Sequence, residues 1–190
     1  MKFLSKRADS QILLQKLIYK KNTDNSELRK FLLKEQKNFC AYTEKYVEGL
    51  DSVEIEHFNS SLKHKDNYYN YYAVVRWANQ IKKDEKYKNA PFFDTLFFQN
   101  EFAARIKFIP TDLVYEEINP DDIEAIDFID FIGLNENDLF KDRKSHINPL
   151  KDFFIPEFDI IGYFRKHKQE LKFITAIEVE FNIDLSEFYS

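Results

Sequence analysis

The sequence is poor in residues that interrupt helices and has no means of building a disulfide framework. Its 190 residues include three glycines and five prolines, which favours a helix-rich chain with ordered connections. The single cysteine, Cys40, excludes an internal disulfide and any zinc site that needs several thiolates. No window of about 18 residues is continuously apolar, and the start of the chain has no apolar stretch of signal-peptide length. We therefore expect no membrane span and a cytoplasmic protein.

Charge is plentiful but unevenly distributed along the chain. The net charge is −5, yet residues 1–90 carry 18 Lys and Arg against 12 Asp and Glu, a net of +6. Residues 91–190 carry the remaining 10 basic and 21 acidic residues, a net of −11. A basic half attracts phosphates, which indicates nucleic acid or another charged partner. The simpler interpretation is that lysine side chains solvate exposed helix faces.

Hydrophobic periodicity predicts an α+β fold with helices at both ends of the chain. Apolar spacing indicates helices over residues 9–21, 26–38, 77–88, 137–150 and 158–181, and one after residue 121 that ends at Gly133. Pro149 is the expected stop of the 137–150 helix. Alternation indicates a strand over residues 53–58, and residues 68–75 read as a strand or an irregular buried segment. Residues 104–109 and 113–118 indicate a hairpin.

An acidic residue, a histidine and two asparagines stand at spacings that suit metal-assisted hydrolysis. Glu56 and His57 end the predicted strand, Asn70 follows His57 by 13 residues, and Asn79 follows Asn70 by nine. A carboxylate and an amide oxygen are hard ligands suited to Mg²⁺ or Mn²⁺, and a neutral histidine beside them can take a proton from water. The pattern predicts a phosphodiesterase with one metal ion. The alternative is a histidine that is hydrogen-bonded within a strand, with both asparagines in turns.

The same segment resembles the HNH nuclease motif, whose fold is a ββα-metal unit. The resemblance implies that His57 activates water and that Glu56 and Asn79 bind the metal ion. It also implies that Asn70 braces the loop and orients the histidine. Lys82, one helical turn after Asn79, resembles the family's phosphate-contacting lysine. An asparagine in the last position makes this an H-N-N variant, similar to the HNH domains of RNA-guided DNA nucleases.

The flanking sequence resembles HNH proteins that hold a structural zinc between two C-x-x-C pairs. That subgroup includes the HNH subunits of Septu-type anti-phage systems. Here the first pair corresponds to residues 40–43 (C-A-Y-T) and the second to residues 75–78 (V-R-W-A), so one thiol of four is present. A structural zinc is therefore not expected. We expect aromatic packing to stabilise this frame instead, through the side chains of Tyr42, Tyr68, Tyr71 and Trp77.

These observations predict three regions and one function. Residues 1–38 form an N-terminal helical segment, residues 39–118 the HNH core with its following hairpin, and residues 119–190 an acidic helical region that packs on the core. The predicted function is a metal-dependent endonuclease that cuts DNA, with Lys82, Lys83 and Arg76 holding phosphate. The anti-phage resemblance implies that the acidic region binds an ATPase partner, and a homo-oligomer is the other form of assembly considered.

Two alternatives stay open from the sequence. The first is a catalytically inactive subunit that keeps the HNH scaffold for binding within a larger complex, which the missing thiols favour. The second is a nuclease that acts on RNA, although the sequence has no recognisable RNA-binding module.

Overall fold

The computed structural model describes residues 1–49, 51–65, 67–93, 101–153 and 159–190, and its fold is α+β, as predicted. The helices are α1 (Gln11–Leu14), α2 (Ser26–Glu35), α3 (Arg76–Ile81), α4 (Asp84–Tyr87), α5 (Phe102–Arg105), α6 (Ile123–Ile132), α7 (Asn137–Phe153), α8 (Ile160–Lys166) and α9 (Ile174–Phe181). The strands are β1 (Val53–His57), β2 (Tyr71–Val75), β3 (Ile106–Ile109) and β4 (Val114–Glu117).

The first sheet and the helix after it form a continuous β1–β2–α3 unit. β1 pairs antiparallel with β2, from Val53 opposite Val75 to His57 opposite Tyr71. α3 begins at Arg76, directly after β2, and contacts both strands. The segment between the strands contains two short 3₁₀ turns, at Ser60–Lys65 and Tyr68–Asn70. The predicted strand over residues 68–75 is therefore confirmed for its second part only.

Both faces of the β1–β2 sheet are covered, which explains why every residue of β2 is buried. Side chains alternate between the faces of a strand. On one face, Ile55, Tyr71 and Ala73 pack against apolar side chains of α1 and α2. On the other face, Tyr72 and Val74 belong to a larger core that continues into the second half of the chain. Helices α1 and α2 thus pack on the face opposite the acidic region, whereas Leu4 joins the larger core.

The acidic region shares its hydrophobic core with the motif-bearing sheet. Phe128 and Phe131 of α6 approach Phe58, the residue after His57, at ring-centroid distances of 6.1 and 5.4 Å. Phe92 joins the same cluster, 5.1 Å from Phe131. These rings bury large apolar areas, so the segment that follows β1 is fixed from the C-terminal side by aromatic packing.

The second sheet is the predicted hairpin, and Gly133 ends α6 as predicted. β3 and β4 pair antiparallel, with Phe108 opposite Tyr115. Gly133 has φ +72° and ends α6 in the left-handed region, and a Cβ there would lie 2.3 Å from a side-chain carbon of Ile81. Glycine is therefore required at this position on both conformational and packing grounds.

Several predicted helices are shorter or longer than the periodicity indicates. The helix expected over residues 9–21 ends at Leu14, because Lys16 takes a left-handed conformation with φ 53°. The helix expected over residues 77–88 breaks after Ile81. The one expected over residues 158–181 divides into α8 and α9, and the first residue of that range lies outside the described residues. Pro149 was expected to stop α7, but it lies inside that helix.

The aromatic side chains expected to replace a zinc frame are buried with one exception. Tyr42, Tyr68 and Tyr71 are each at most 3% exposed, whereas Trp77 is 37% exposed and was wrongly assigned to this packing. None of the helices within the described ranges combines the length and the apolar character needed to cross a membrane.

Candidate functional site

A cleft of about 660 Å³, here called the β1 cleft, runs along β1 and contains most of the predicted site residues. One wall consists of β1 and the start of α3, and the other is formed by residues 19–29, which lie before and within α2. Lys63 borders the cleft from the segment between the two strands. Among the predicted site residues, Glu56, His57, Arg76 and Asn79 line it.

His57 ends β1 and is enclosed by two tyrosine rings. It is 8% exposed, and its ring meets Tyr19 edge-on at 4.8 Å and Tyr71 at 5.6 Å between centroids. The backbone N–H of Tyr19 donates to the hydroxyl of Tyr71 at 3.1 Å. The N-terminal segment is therefore fastened to the sheet beside the histidine, and this packing restricts the orientation of the imidazole.

Glu56 is buried, and its carboxylate forms an ion pair with the ammonium group of Lys82. Burial raises the pKa of Glu56 to about 7, although the charge of Lys82 acts in the opposite direction. The same ammonium donates to the carbonyl oxygens of His57 at 2.9 Å and Phe58 at 3.2 Å, and it lies 2.8 Å from Asp84. Lys82 thus holds the end of β1 through three oxygen contacts and links it to Asp84 of α4 through a fourth.

Asn70 holds the two ends of the segment between β1 and β2 together. Its side-chain oxygen accepts the backbone N–H of Asn59 at 2.7 Å, and its amide nitrogen donates to the carbonyl of Asn59 at 3.1 Å. The backbone N–H of Phe58 also donates to the carbonyl of Asn70 at 2.9 Å. Asn70 is 6% exposed. Its contacts are of the kind expected of a residue that braces the loop next to His57.

Asn79 contacts Glu54, a carboxylate that the motif analysis overlooked. The amide nitrogen of Asn79 donates to one oxygen of Glu54 at 2.8 Å, and Arg76 donates to the other at 2.7 Å. Burial opposes ionisation of Glu54, but these two hydrogen bonds outweigh it and lower the pKa of the carboxyl. The signal for Glu54 was present in the sequence, because residues two apart on a strand share a face and Glu56 was already a candidate.

The structure puts the predicted phosphate-binding lysines outside the cleft. The side chain of Lys82 is 1% exposed and is surrounded by the oxygens named above. Lys83 binds Asp130 at 2.6 Å and Glu136 at 2.5 Å, on the side of the acidic region. The phosphate-binding roles of both remain predictions. Three basic residues that sequence reasoning did not single out line the cleft instead: Lys21, Arg29 and Lys63.

One wall of the β1 cleft carries oxygen-bearing side chains, which are the ligand type that hard divalent cations prefer. Among the described residues, no group of three or more His, Cys, Asp or Glu side chains could hold a metal ion. Mg²⁺, however, is commonly bound by one or two carboxylates together with substrate phosphates and water. The carboxylates of Glu54 and Glu56 and the amide of Asn79 supply oxygens of this kind at one wall. The ammonium of Lys82 competes with a metal ion for Glu56.

Cys40 and Val75, two positions of the zinc frame that the sequence resemblance implies, are in contact. The thiol is buried, and its sulfur accepts the backbone N–H of Val75 at 3.4 Å. Val75 occupies the first thiol position of the second pair. The two halves therefore meet through a hydrogen bond to one sulfur, in a place where Thr43, Val75 and Ala78 supply no other thiolate.

The comparisons with known proteins give no neighbour. No protein-family profile, curated protein or solved structure matches this chain.

Proposed function

We propose that the protein is a metal-dependent HNH endonuclease that hydrolyses phosphodiester bonds in DNA. The observation that carries the proposal is the β1–β2–α3 unit, in which His57 ends the first strand and Asn79 lies in the helix, with both residues lining one cleft. The contact between Cys40 and Val75 supports it further, because it joins the two positions that a zinc ion would join in the resembling proteins.

Each motif residue has a task that follows from its contacts. His57, enclosed by Tyr19 and Tyr71, accepts a proton from the attacking water. Asn70 keeps the segment after His57 closed, so that the imidazole is presented in one orientation. Glu54 accepts the amide nitrogen of Asn79, which leaves the amide oxygen as the end that can act as a ligand. Glu54, Glu56 and Asn79 are the residues that would hold Mg²⁺ or Mn²⁺. The ion, when bound, supplies a Lewis acid to the phosphate.

Metal-dependent cleavage by the purified chain tests this proposal. Supercoiled plasmid is incubated with the protein in Mg²⁺, in Mn²⁺ and in EDTA, and a structured RNA is tested in parallel. We expect nicked and linear DNA with either metal and intact plasmid in EDTA. Cleavage that persists in EDTA would contradict a metal-dependent mechanism, and cleavage of RNA alone would replace DNA as the substrate.

The ion pair between Glu56 and Lys82 favours a second candidate, a catalytically inactive HNH-fold subunit. An ammonium that already neutralises the predicted ligand makes a metal ion unnecessary for the fold. The two candidates differ in metal binding. A ligand that binds only the folded state stabilises it, so a nuclease is expected to unfold at a higher temperature in millimolar Mn²⁺. An inactive subunit is expected to show no such shift and no cleavage.

A role in anti-phage defence with an ATPase partner remains part of the proposal and rests on the sequence resemblance. The net charge of −11 over residues 91–190 suits a basic protein surface better than DNA. Size-exclusion chromatography with light scattering, with and without the product of a neighbouring gene, tests this. A monomer that binds no such protein and still cuts DNA would count against a required partner.

A further inference from the structure

We propose that residues 19–29 form a DNA-binding wall of the β1 cleft, in which Lys21 and Arg29 contact backbone phosphates together with Lys63 on the opposite side. This inference rests on the proposed nuclease function and adds to it the residues, outside the motif, that hold the substrate. Three observations support it: the segment forms an ordered turn, its basic side chains have no ion-pair partner among the described residues, and it lies next to His57.

Part of the wall, residues 20–26, is an ordered turn that side-chain hydrogen bonds hold in place. The side-chain oxygen of Asn25 accepts the backbone N–H of Lys20 at 2.9 Å, and its amide nitrogen donates back to the carbonyl of Lys20 at 2.9 Å. Asp24 accepts both the N–H and the hydroxyl of Ser26, at 2.8 and 2.9 Å. These bonds fix residues 20–26, so Lys21 is presented from a preformed backbone.

The same segment is fastened directly to the catalytic candidate. Tyr19 meets the ring of His57 edge-on at 4.8 Å and is held by the hydroxyl of Tyr71 at 3.1 Å. Arg29 lies on the first half of α2 and lines the same cleft as Glu54. A phosphate bound between this wall and β1 would therefore lie beside His57 and the Glu54–Asn79 pair.

The basic side chains of the cleft differ in whether they already have an anionic partner. Arg76 is paired with Glu54, and Glu56 is neutralised by Lys82. By contrast, no described residue forms a hydrogen bond or an ion pair with the side chains of Lys21, Arg29 or Lys63. The carboxylate of Asp24 lines the cleft as well and keeps its negative charge, although Ser26 donates to it. With Lys82 counted beside its partner Glu56, five basic side chains face three carboxylates, a net of +2: Lys21, Arg29, Lys63, Arg76 and Lys82 against Asp24, Glu54 and Glu56. This excess of positive charge attracts a phosphate backbone.

Helix α2 provides a matched control for this proposal. Lys30 and Lys34 are exposed on the same helix, and neither lines the cleft. Reversing the charge of these two residues changes the net charge of the protein as much as reversing Lys21 and Arg29. Non-specific attraction between a basic helix and DNA predicts equal effects for the two pairs, whereas the proposed wall predicts different ones.

Fluorescence anisotropy with a labelled DNA duplex and the matching single strand, in EDTA, tests the wall without any cleavage step. We expect the Lys21→Glu/Arg29→Glu variant to bind at least about tenfold more weakly than the wild type, with a salt dependence reduced by roughly 1.4 to 1.8 in log–log slope for two lost phosphate contacts. The Lys30→Glu/Lys34→Glu variant is expected to change affinity by about twofold or less.

Three results would overturn the proposal: equal weakening in the two variants, no weakening in the Lys21/Arg29 variant, or no DNA binding by the wild type. Thermal unfolding checks both variants, and Lys21→Gln/Arg29→Gln replaces the first pair if its charge reversal prevents folding. Binding that follows the expected pattern in a protein that cuts no DNA would support the wall and refute the nuclease. If the protein cuts DNA but the Lys21/Arg29 variant binds DNA as well as the wild type does, the nuclease is supported and the wall is refuted.

Discussion

The cleft-bearing region and the acidic region contain the same kinds of polar contact, but these are buried in the first and exposed in the second. Lys82 binds the carboxylate of Glu56 beside the cleft, and Lys83, the next residue, binds the carboxylate of Asp130 in the acidic region. The first pair has side chains 1% and 6% exposed, whereas the second has side chains 32% and 36% exposed. A buried pair is costly to break, and an exposed pair is screened by water, so only the first can constrain the site strongly.

Two asparagines repeat this contrast. Asn70 makes two hydrogen bonds to the backbone of Asn59, and Asn135 makes two to the backbone of Tyr115, at 2.9 and 2.8 Å. Asn70 is buried next to His57, while Asn135 is exposed at the edge of the second sheet. Equivalent hydrogen bonds therefore stabilise the fold in one region and a candidate site in the other.

Many carboxylates of the acidic region already have a cationic partner. Lys172 binds Asp142 and Lys151 binds Glu180 within the region, and Arg105 of α5 binds Asp122. Around the β1 cleft the opposite holds, since Lys21, Arg29 and Lys63 are without ion-pair partners among the described residues. Charged side chains thus form ion pairs with each other in one region, and several of them remain available to an anionic ligand in the other.

The largest difference between the regions is expected from the two lysine pairs. Lys82→Met removes the cation from a buried carboxylate and the donor from two carbonyl groups, so it should lower the free energy of unfolding by about 3–5 kcal/mol. Lys83→Met should cost about 1 kcal/mol or less, because Lys86 and Tyr87 still donate to Asp130 and water screens the pair. Urea denaturation of both variants measures this, and equal losses would contradict the contrast.

The next effect concerns metal binding. Glu54→Gln removes a carboxylate that would hold the ion and that also fixes the amide of Asn79. Loss of a hydrogen-bonding partner of a ligand alone weakens metal binding by about 10- to 100-fold, so the Glu54 variant should lose at least this much affinity. We expect this loss in a Mn²⁺ titration followed by electron paramagnetic resonance. Asp130→Asn removes the same charge from the acidic region and should leave Mn²⁺ affinity unchanged. Unaltered affinity in the Glu54 variant would show that Glu54 does not position Asn79.

The two asparagines give a third, smaller difference. Asn70→Ala leaves the backbone groups of Asn59 without their partners and should cost about 1–3 kcal/mol, together with most DNA cleavage. Asn135→Ala should cost less stability, because Asn135 is exposed and water can enter where its side chain was, and it should leave cleavage intact. The two are compared by thermal unfolding and by plasmid nicking. A fully active Asn70 variant would show that cleavage does not require Asn70 to hold the segment after His57.

The smallest effect is a pH dependence of the acidic region. Burial opposes ionisation of Asp130, but hydrogen bonds from Lys83, Lys86 and Tyr87 outweigh it and hold the pKa well below its usual value. This contribution is present above the unfolded-state pKa of about 3.9 and is lost as the pH falls below it. The stability gap between wild type and Asp130→Asn, about 1 kcal/mol or less after screening, should therefore close between pH 5 and pH 2.

Local signals predicted the fold better than they predicted the site. Alternation located β1, turn residues located the β3–β4 hairpin, and Gly133 marked the end of α6, because each depends on neighbouring residues. The break after Ile81 was not predictable in this way, since it accompanies long-range contacts that turn Lys82 back to the end of β1 and join the N–H of Lys83 to Phe131.

The cleft depends on contacts between distant parts of the chain. Tyr19 and Tyr71 are 52 residues apart, and no periodicity shows that the segment before α2 lies beside His57. The same reason hid the basic residues Lys21 and Arg29, which the sequence presents only as part of a basic half. Glu54 was accessible from strand alternation, but the motif directed attention to Glu56 and its histidine.

The most direct test of the account is the rate of plasmid cleavage by His57→Ala under single-turnover conditions in Mn²⁺. His167→Ala is the control, because His167 is a partly exposed histidine after α8 that does not line the cleft. The account predicts no detectable cleavage by the His57 variant and a wild-type rate for the His167 variant. Loss of the buried His57 ring should lower the unfolding temperature, so the assay is run well below the unfolding transition of both variants. Cleavage by the His57 variant at the wild-type rate would contradict the assignment of this cleft as the active site.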